Sequence, residues 1–265
     1  FVTPSVGAHC KSCEFRIGDD LKSGDIKSGF ERCWLEAEHL SAPELAKEFV
    51  FDIWNFRKAA ALLPKGKIFA EDLDESDVIT SDVADNVVGL SSARRQWIQV
   101  EKIKAKDPTP YFDEDGLSVE MRKWKFPLNF IDFETTMVAL PFHKGRRPYE
   151  QIAFQFSHHT VSSDGKVAHE NEYINTARGE FPNFEFVRTL KKALEQNEGT
   201  VFRYATHENT VLRQIRKQLR DYPQPPADRD ALIAFIETIT VSELDPDDQW
   251  TGGRNMVDMC DLVKK

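Results

Sequence analysis

An α/β fold is predicted, with a mixed sheet flanked by helices and preceded by a mostly helical, cysteine-bearing segment. Three observations predict it. Phe130, Ile131 and Phe133 form an apolar run in which Asp132 and Glu134 sit one residue apart. Residues 151–161 alternate Ile152, Phe154 and Phe156 with polar neighbours, the period of a half-buried strand. The segments that follow read, in order, as strand, helix, strand and helix.

Taken along the chain, residues 130–133 give the first strand. Side chains alternate faces along a strand, so Asp132 and Glu134 point the same way. Residues 151–161 give the second strand, and Ser162-Ser163-Asp164-Gly165 has the chemistry of a turn. Residues 167–174 can return as a third, antiparallel strand. Phe186, Val187, Leu190 and Leu194 fall at helical spacing. Residues 200–204 read as a short strand, and Val211, Leu212, Ile215 and Leu219 mark another helix. Glu208 lies at the predicted start of that helix, where the helix dipole favours an anion.

The chemistry at Asp132 and Glu134 follows from their charge. Two like charges side by side are costly unless a cation lies between them. Hard divalent ions such as Mg²⁺ and Mn²⁺ take carboxylate oxygens, and paired ions roughly 4 Å apart drive phosphodiester cleavage. Two solvated acids on an edge strand would give the same pair. Glu208 is the third carboxylate that could converge on them. Thr135, beside the pair, could meet a terminal nucleotide through its hydroxyl or backbone N–H.

The element order is that of a ribonuclease H-like nuclease. Phe126-Pro127, Ile131-Asp-Phe-Glu-Thr135, Pro148-Tyr149, Phe154-Gln-Phe-Ser157 and the Tyr204…Glu208 segment together carry a closer resemblance. From about residue 125 onward the chain resembles the DEDD exonuclease-like domain of a bacterial family described only as a domain of unknown function. The resemblance implies that Asp132 and Glu134 are the first exonuclease motif and Glu208 the second, where many relatives carry Asp. Ala205 and His207 stand where the family tends to show Asn and Phe.

The third exonuclease motif has no clear counterpart. His159…Asp164 and Tyr111…Asp115 have fitting spacings but precede the second or the first motif. Asp258 and Asp261 follow the second motif. Asp258 reads equally as a metal ligand and as a helix-start or structural Asp. In the family this segment resembles a structural Asp-Leu element, with the last catalytic Asp further on. A chain running from Phe1 to Lys265 is therefore expected to be a fragment of a longer protein, with its exonuclease domain incomplete at the C-terminus.

Thirty-five Lys plus Arg against 44 Asp plus Glu give a net charge of −9, which repels a phosphate backbone at long range. Nucleic-acid binding must then rest on local basic clusters. One is His143-Lys144-Gly145-Arg146-Arg147, just after the first strand, with Lys144, Arg146 and Arg147 as the candidate contacts. Another is Arg213, Arg216, Lys217 and Arg220 on the later helix, which a solvated helix face explains better. The acidic stretches at residues 71–77 and 243–248 read as loops.

Three of the four cysteines, Cys10, Cys13 and Cys33, fall in the first part of the chain, with a Cys-x2-Cys spacing at Cys10 and Cys13. No secretory signal is visible, so such clustering suggests metal rather than disulfides. Thiolates suit iron–sulfur or zinc. The stretch resembles the cysteine-bearing tail of RecB-like nucleases, in which an iron–sulfur cluster pins the end of the domain. A fourth ligand could be His9, Cys260 or a residue before Phe1, and reduced unligated thiols remain an alternative.

The expected organisation is a cysteine-bearing tail of an upstream nuclease domain at residues 1–40, a helical connector at 41–117 and a ribonuclease H-like exonuclease domain at 118–265. In the connector, a helix is expected with Leu45, Phe49, Ile53 and Phe56 inward, extended through Ala59–Leu63 to a stop at Pro64-Lys-Gly66. A second helix is expected over 91–103, and residues 107–110 and 113–116 read as loop. No apolar run approaches the roughly 18 residues of a membrane helix, and the absence of a visible secretory signal gives the expectation of a cytoplasmic protein. The function expected is metal-dependent, exonucleolytic hydrolysis of nucleic acid, single-stranded by preference. A non-catalytic nucleic-acid-binding or scaffolding module on a nuclease-like fold is the alternative.

Overall fold

The computed structural model describes residues 5–18, 27–80, 90–243, 246 and 248–264. The chain separates into two units, Phe1–Glu114 and Asp115–Lys265.

The first unit is built on short helices. A 3₁₀ turn at Ala8–Ser12 carries Cys10. The helices that follow are α1 (Gly29–Glu38), α2 (Ala42–Leu45), α3 (Ala59–Leu62), α4 (Glu75–Val78) and α5 (Ser92–Ala105). Ser28 and Ser91 cap α1 and α5 by accepting the N–H groups of Glu31 and Arg94. An aromatic knot fills the centre: the Phe49 ring lies 5.1 Å from those of Phe30 and Phe51 and 4.9 Å from Trp34. Burying each such ring is worth about 1.5–3 kcal/mol.

The connector helix expected from residue 44 is broken in the structure. Phe49, Ile53 and Phe56 are buried as expected, but Phe49 and Ile53 only flank a 3₁₀ turn at Val50–Asp52 and Phe56 lies beyond it. The Glu44 carboxylate accepts the Ser41 N–H and hydroxyl, and α2 ends at Leu45. Phe49 then pairs by an antiparallel bridge with Phe69, and Asn55 takes a positive φ of 50°. Tertiary pairing has overridden a helical pattern. The acids at 71–77 are likewise not simple loop. Asp72 accepts the N–H groups of Ile68 and Phe69, and Asp77 that of Asp74. In α5, Gln96 donates to the Trp54 carbonyl and Gln99 accepts the Trp54 N–H.

α6 (Glu114–Met121) leads into the second unit, so residues 114–116, expected as loop, supply the first turn of a helix. Then come β1 (Leu128–Thr136), β2 (Ile152–Val161), β3 (Val167–Ile174), α7 (Asn183–Leu194), β4 (Val201–Arg203) and α8 (His207–Asp221). They are followed by α9 (Arg229–Ile239), β5 (Val241–Ser242), β6 (Trp250–Thr251), β7 (Val257–Asp258) and α10 (Met259–Lys264). The sheet order is β3-β2-β1-β4-β7. β2 runs antiparallel to β1 and β3, whereas β4 is parallel to β1 and β7 to β4. This is the ribonuclease H-like mixed sheet flanked by helices.

Alternation along β1 sorts its faces. Ile131 and Phe133 enter a core completed by Phe156, Phe186, Leu212 and Ile215. Asp132 and Glu134 are exposed on the other face. At the start of β1, Asn129 is fully buried and is satisfied by Asn197 and by His158, whose Nε2 lies 3.0 Å from its Oδ1. Gly199 lets the chain pass against β1: a Cβ there would lie 1.7 Å from the Pro127 carbonyl oxygen. Among the described residues, no helix is long and apolar enough to cross a membrane.

Candidate metal and nucleic-acid site

β1 presents Asp132 and Glu134 outward, and the β4–α8 turn brings Glu208 towards them. That turn is unusual. Ala205 has a φ of 63°, a left-handed conformation costly for a residue with a Cβ. Its N–H donates to Asp258 Oδ1 at 3.0 Å, and its carbonyl accepts from the Arg203 guanidinium. Arg203 and Asp258 also pair with each other at 2.9 Å, with both side chains more than nine-tenths buried. The clamp fixes where α8 begins, and so where Glu208 stands in its first turn.

Glu208 is only 3% exposed, and its Oε2 is buried without a hydrogen-bond partner. Burial raises its carboxyl pKa and the Asp132 charge adds to the rise, while its own backbone N–H, His207 and Arg203 oppose it. The structure thus brings Asp132 and Glu208 within electrostatic reach of each other, with Glu134 two residues along the same strand face. Among the described residues, no group of three or more His, Cys, Asp or Glu is gathered closely enough to hold a metal ion.

Thr135 and His207 meet at this point, Oγ1 to Nε2 at 3.2 Å. The sequence singled out His207 only as a departure from a motif. Its position next to Glu208 was the one available signal that it belongs to the site.

Asp258, one reading of which was a metal ligand, has its carboxylate committed elsewhere. Besides Arg203 and Ala205, it accepts the N–H groups of Cys260 and Asp261, so it starts α10 and locks the turn before α8. Arg146 is also engaged within the unit. Its guanidinium lies 3.4 Å from the Phe181 ring centroid and 4.7 Å from that of Tyr222, and its Nη1 bonds Glu150. With 9% of its side chain exposed, it sits in an aromatic box, with Nη2 buried and without a hydrogen-bond partner.

Lys144 and Arg147 remain exposed. Arg146 and Arg147 line a cleft of 430 Å³ together with Lys217, so both basic clusters of the sequence contribute to it. Arg216 is withdrawn from that role by Glu237, Asp248 and the Trp250 ring. Asp164 is held in the β2–β3 turn by Ser162 and Lys166, far in the strand register from Asp132. The loop between β1 and β2 exposes Met137, Leu140, Phe142 and Tyr149, directly after the strand that carries the acids.

In the first unit, Cys10 is buried and Cys13 and Cys33 are partly buried, all as free thiols. Cys260 is also free, in α10 of the second unit.

Residues 129–265 match the family described as a domain of unknown function, DUF2779, and the chain belongs to that family. No curated protein and no solved structure matches the chain.

Proposed function

We propose that the second unit is a metal-dependent nuclease that hydrolyses phosphodiester bonds of nucleic acid, acting from the end of a single strand. One observation carries the reading: the Glu208 carboxyl is buried beside Asp132 with one oxygen unpartnered. A fold does not bury an acid next to another acid for stability, and such perturbed pairs cluster at functional sites. A divalent cation would satisfy both the open oxygen and the shared charge.

Asp132 and Glu208 would hold Mg²⁺ or Mn²⁺, with Glu134 as the next acid on the same face. Bound there, such ions activate water for attack and stabilise the leaving oxygen. The residues of the chain do the rest. Thr135, oriented by His207, offers its hydroxyl to the terminal nucleotide. Exposed Phe142 and Tyr149 provide faces on which bases can stack, worth about 1–3 kcal/mol per base. Lys144, Arg147 and Lys217 supply local positive charge against the net −9 of the chain.

Among the described residues Cys10, Cys13 and Cys33 are not gathered closely enough to hold a metal ion, and unlike Glu208 they present no buried unpartnered carboxylate oxygen that calls for one. No step of the reaction runs through them.

The test is incubation of the protein with end-labelled single-stranded DNA and RNA in Mg²⁺ or Mn²⁺, with a chelator control. Metal-dependent, stepwise shortening of the label is expected. Retained binding with no shortening in either ion would support the non-catalytic module instead.

A further inference from the structure

A pair of histidines outside the acidic site has no part in the chemistry above. His159 on β2 and His169 on β3 are direct register partners on the open face of the sheet. A β-bulge makes them so. Asn171 pairs with His158 and His169 with His159, which leaves Glu170 as the extra residue. Without the bulge, Glu170 would stand opposite His159. Bulges re-aim side chains at functional places, and this one turns two imidazoles towards each other.

Their geometry is that of converging ligands. His169 Nδ1 lies 3.1 Å from His159 Nε2, with the rings at 72° and not stacked. The other nitrogen of His169, Nε2, lies 2.8 Å from Glu172 Oε2. With neutral rings, Glu172 accepts the Nε2–H of His169 and thereby leaves a lone pair on His169 Nδ1. His159 now donates its Nε2–H to that lone pair. If the His159 proton moves to its own Nδ1, both facing nitrogens present lone pairs. Zinc–imidazole bonds of about 2.0–2.1 Å put two nitrogens about 2.9 Å apart on an octahedral ion and about 3.4 Å apart on a tetrahedral one. The observed 3.1 Å falls between these limits.

We propose that His159 and His169, oriented by Glu172, bind one divalent transition-metal ion of the zinc class on the β2–β3 hairpin, separate from Asp132 and Glu208. Imidazole nitrogens select zinc, copper or nickel over magnesium, which takes oxygen. Glu172 is the carboxylate that fixes the tautomer of a ligating histidine from behind. Among the described residues two protein ligands are present, so water fills the remaining positions and binding is weaker than at a four-ligand structural site. All three side chains are exposed, so the ion has free access. Its effect is to tie the edge strand β3 to β2.

The experiment is calorimetric titration of chelator-stripped full chain with ZnCl₂ in excess Mg²⁺, for wild type and for His159→Gln, His169→Gln and Glu172→Gln. The thermal midpoint is followed in parallel. Each histidine variant should lose one equivalent of zinc and its share of the zinc-dependent rise in midpoint. Glu172→Gln should keep the stoichiometry with affinity lowered about tenfold or more. The same number of zinc ions bound with the same affinity by wild type and both histidine variants would overturn the proposal. A second reading needs the wild type alone. Zinc should shift the ring NMR signals of His159 and His169 before those of buried His158, and no shift at either ring would overturn the site.

Discussion

The Ala205 N–H reaches Asp258 Oδ1 at 3.0 Å across 53 residues of sequence, and that bond holds Ala205 at a φ of 63°. Two residues outside the acidic pair thus decide where Glu208 stands. The Arg203–Asp258 pair is nearly buried, and removing one partner of such a pair costs about 3–5 kcal/mol. Asp258→Ala should therefore lower unfolding stability by about 3 kcal/mol in denaturant titration. A loss below about 1 kcal/mol would mean that the clamp is ornamental.

Glu208 should behave in the opposite way. Burial raises its folded carboxyl pKa above the unfolded value of about 4.3. Below that value both states are protonated and the residue is neutral in stability. As pH rises the unfolded chain ionises first, so the native state loses stability. Glu208→Gln should raise the thermal midpoint at pH 7 in the presence of chelator, and the gain should vanish as pH approaches 4. A lower midpoint for the variant at pH 7 would show that the carboxylate supports the fold.

His158 gives the converse pH dependence. Burial among Asn129 and Asn171 lowers its pKa below the ordinary value of about 6.5. The folded protein keeps this ring neutral while the unfolded chain protonates it, so its stability is fully present above about pH 6.5 and declines as pH falls. His158→Gln should flatten the slope of stability between pH 7 and 5. An unchanged slope would place the acid sensitivity elsewhere.

Arg146 and Arg147 should separate cleanly. Arg146→Lys forfeits the planar stacking in the aromatic box and should cost about 2 kcal/mol of stability, with nucleic-acid affinity preserved. Arg147→Ala should leave stability within about 0.5 kcal/mol and weaken binding, with a shallower salt dependence. Denaturant titrations and fluorescence anisotropy at several salt concentrations read both effects.

The contrast between these neighbours marks where the sequence was legible. β1, β2, α7 and α8 announce themselves through period, because one face of each is buried in a single core, whereas β3 has no buried residue and β4 is buried at all three of its positions. The acids on β1 are visible for the same reason, since alternation places Asp132 opposite Ile131 and Phe133. The run of apolar residues from 45 to 56 kept Phe49, Ile53 and Phe56 buried but not its helix, because the bridge between Phe49 and Phe69 joins segments twenty residues apart. Arg146 looked like Arg147 in sequence. Phe181, Phe184 and Tyr222, which box it, come from distant elements that no local pattern connects to it. The commitments of Asp258 and the contact between Thr135 and His207 are likewise long-range.

The central claim rests on Asp132, and Asp132→Asn tests it most directly. The substitution keeps the shape of the side chain and removes the charge that would hold a cation beside Glu208. The measurement pairs the rate of nucleic-acid hydrolysis in Mg²⁺ or Mn²⁺ with the thermal midpoint in chelator, wild type against variant. The account predicts that hydrolysis is abolished while the midpoint holds or rises, the behaviour of an acid kept for function at a cost in stability. An unchanged rate, or a large fall in the midpoint, would contradict it and make Asp132 a structural residue.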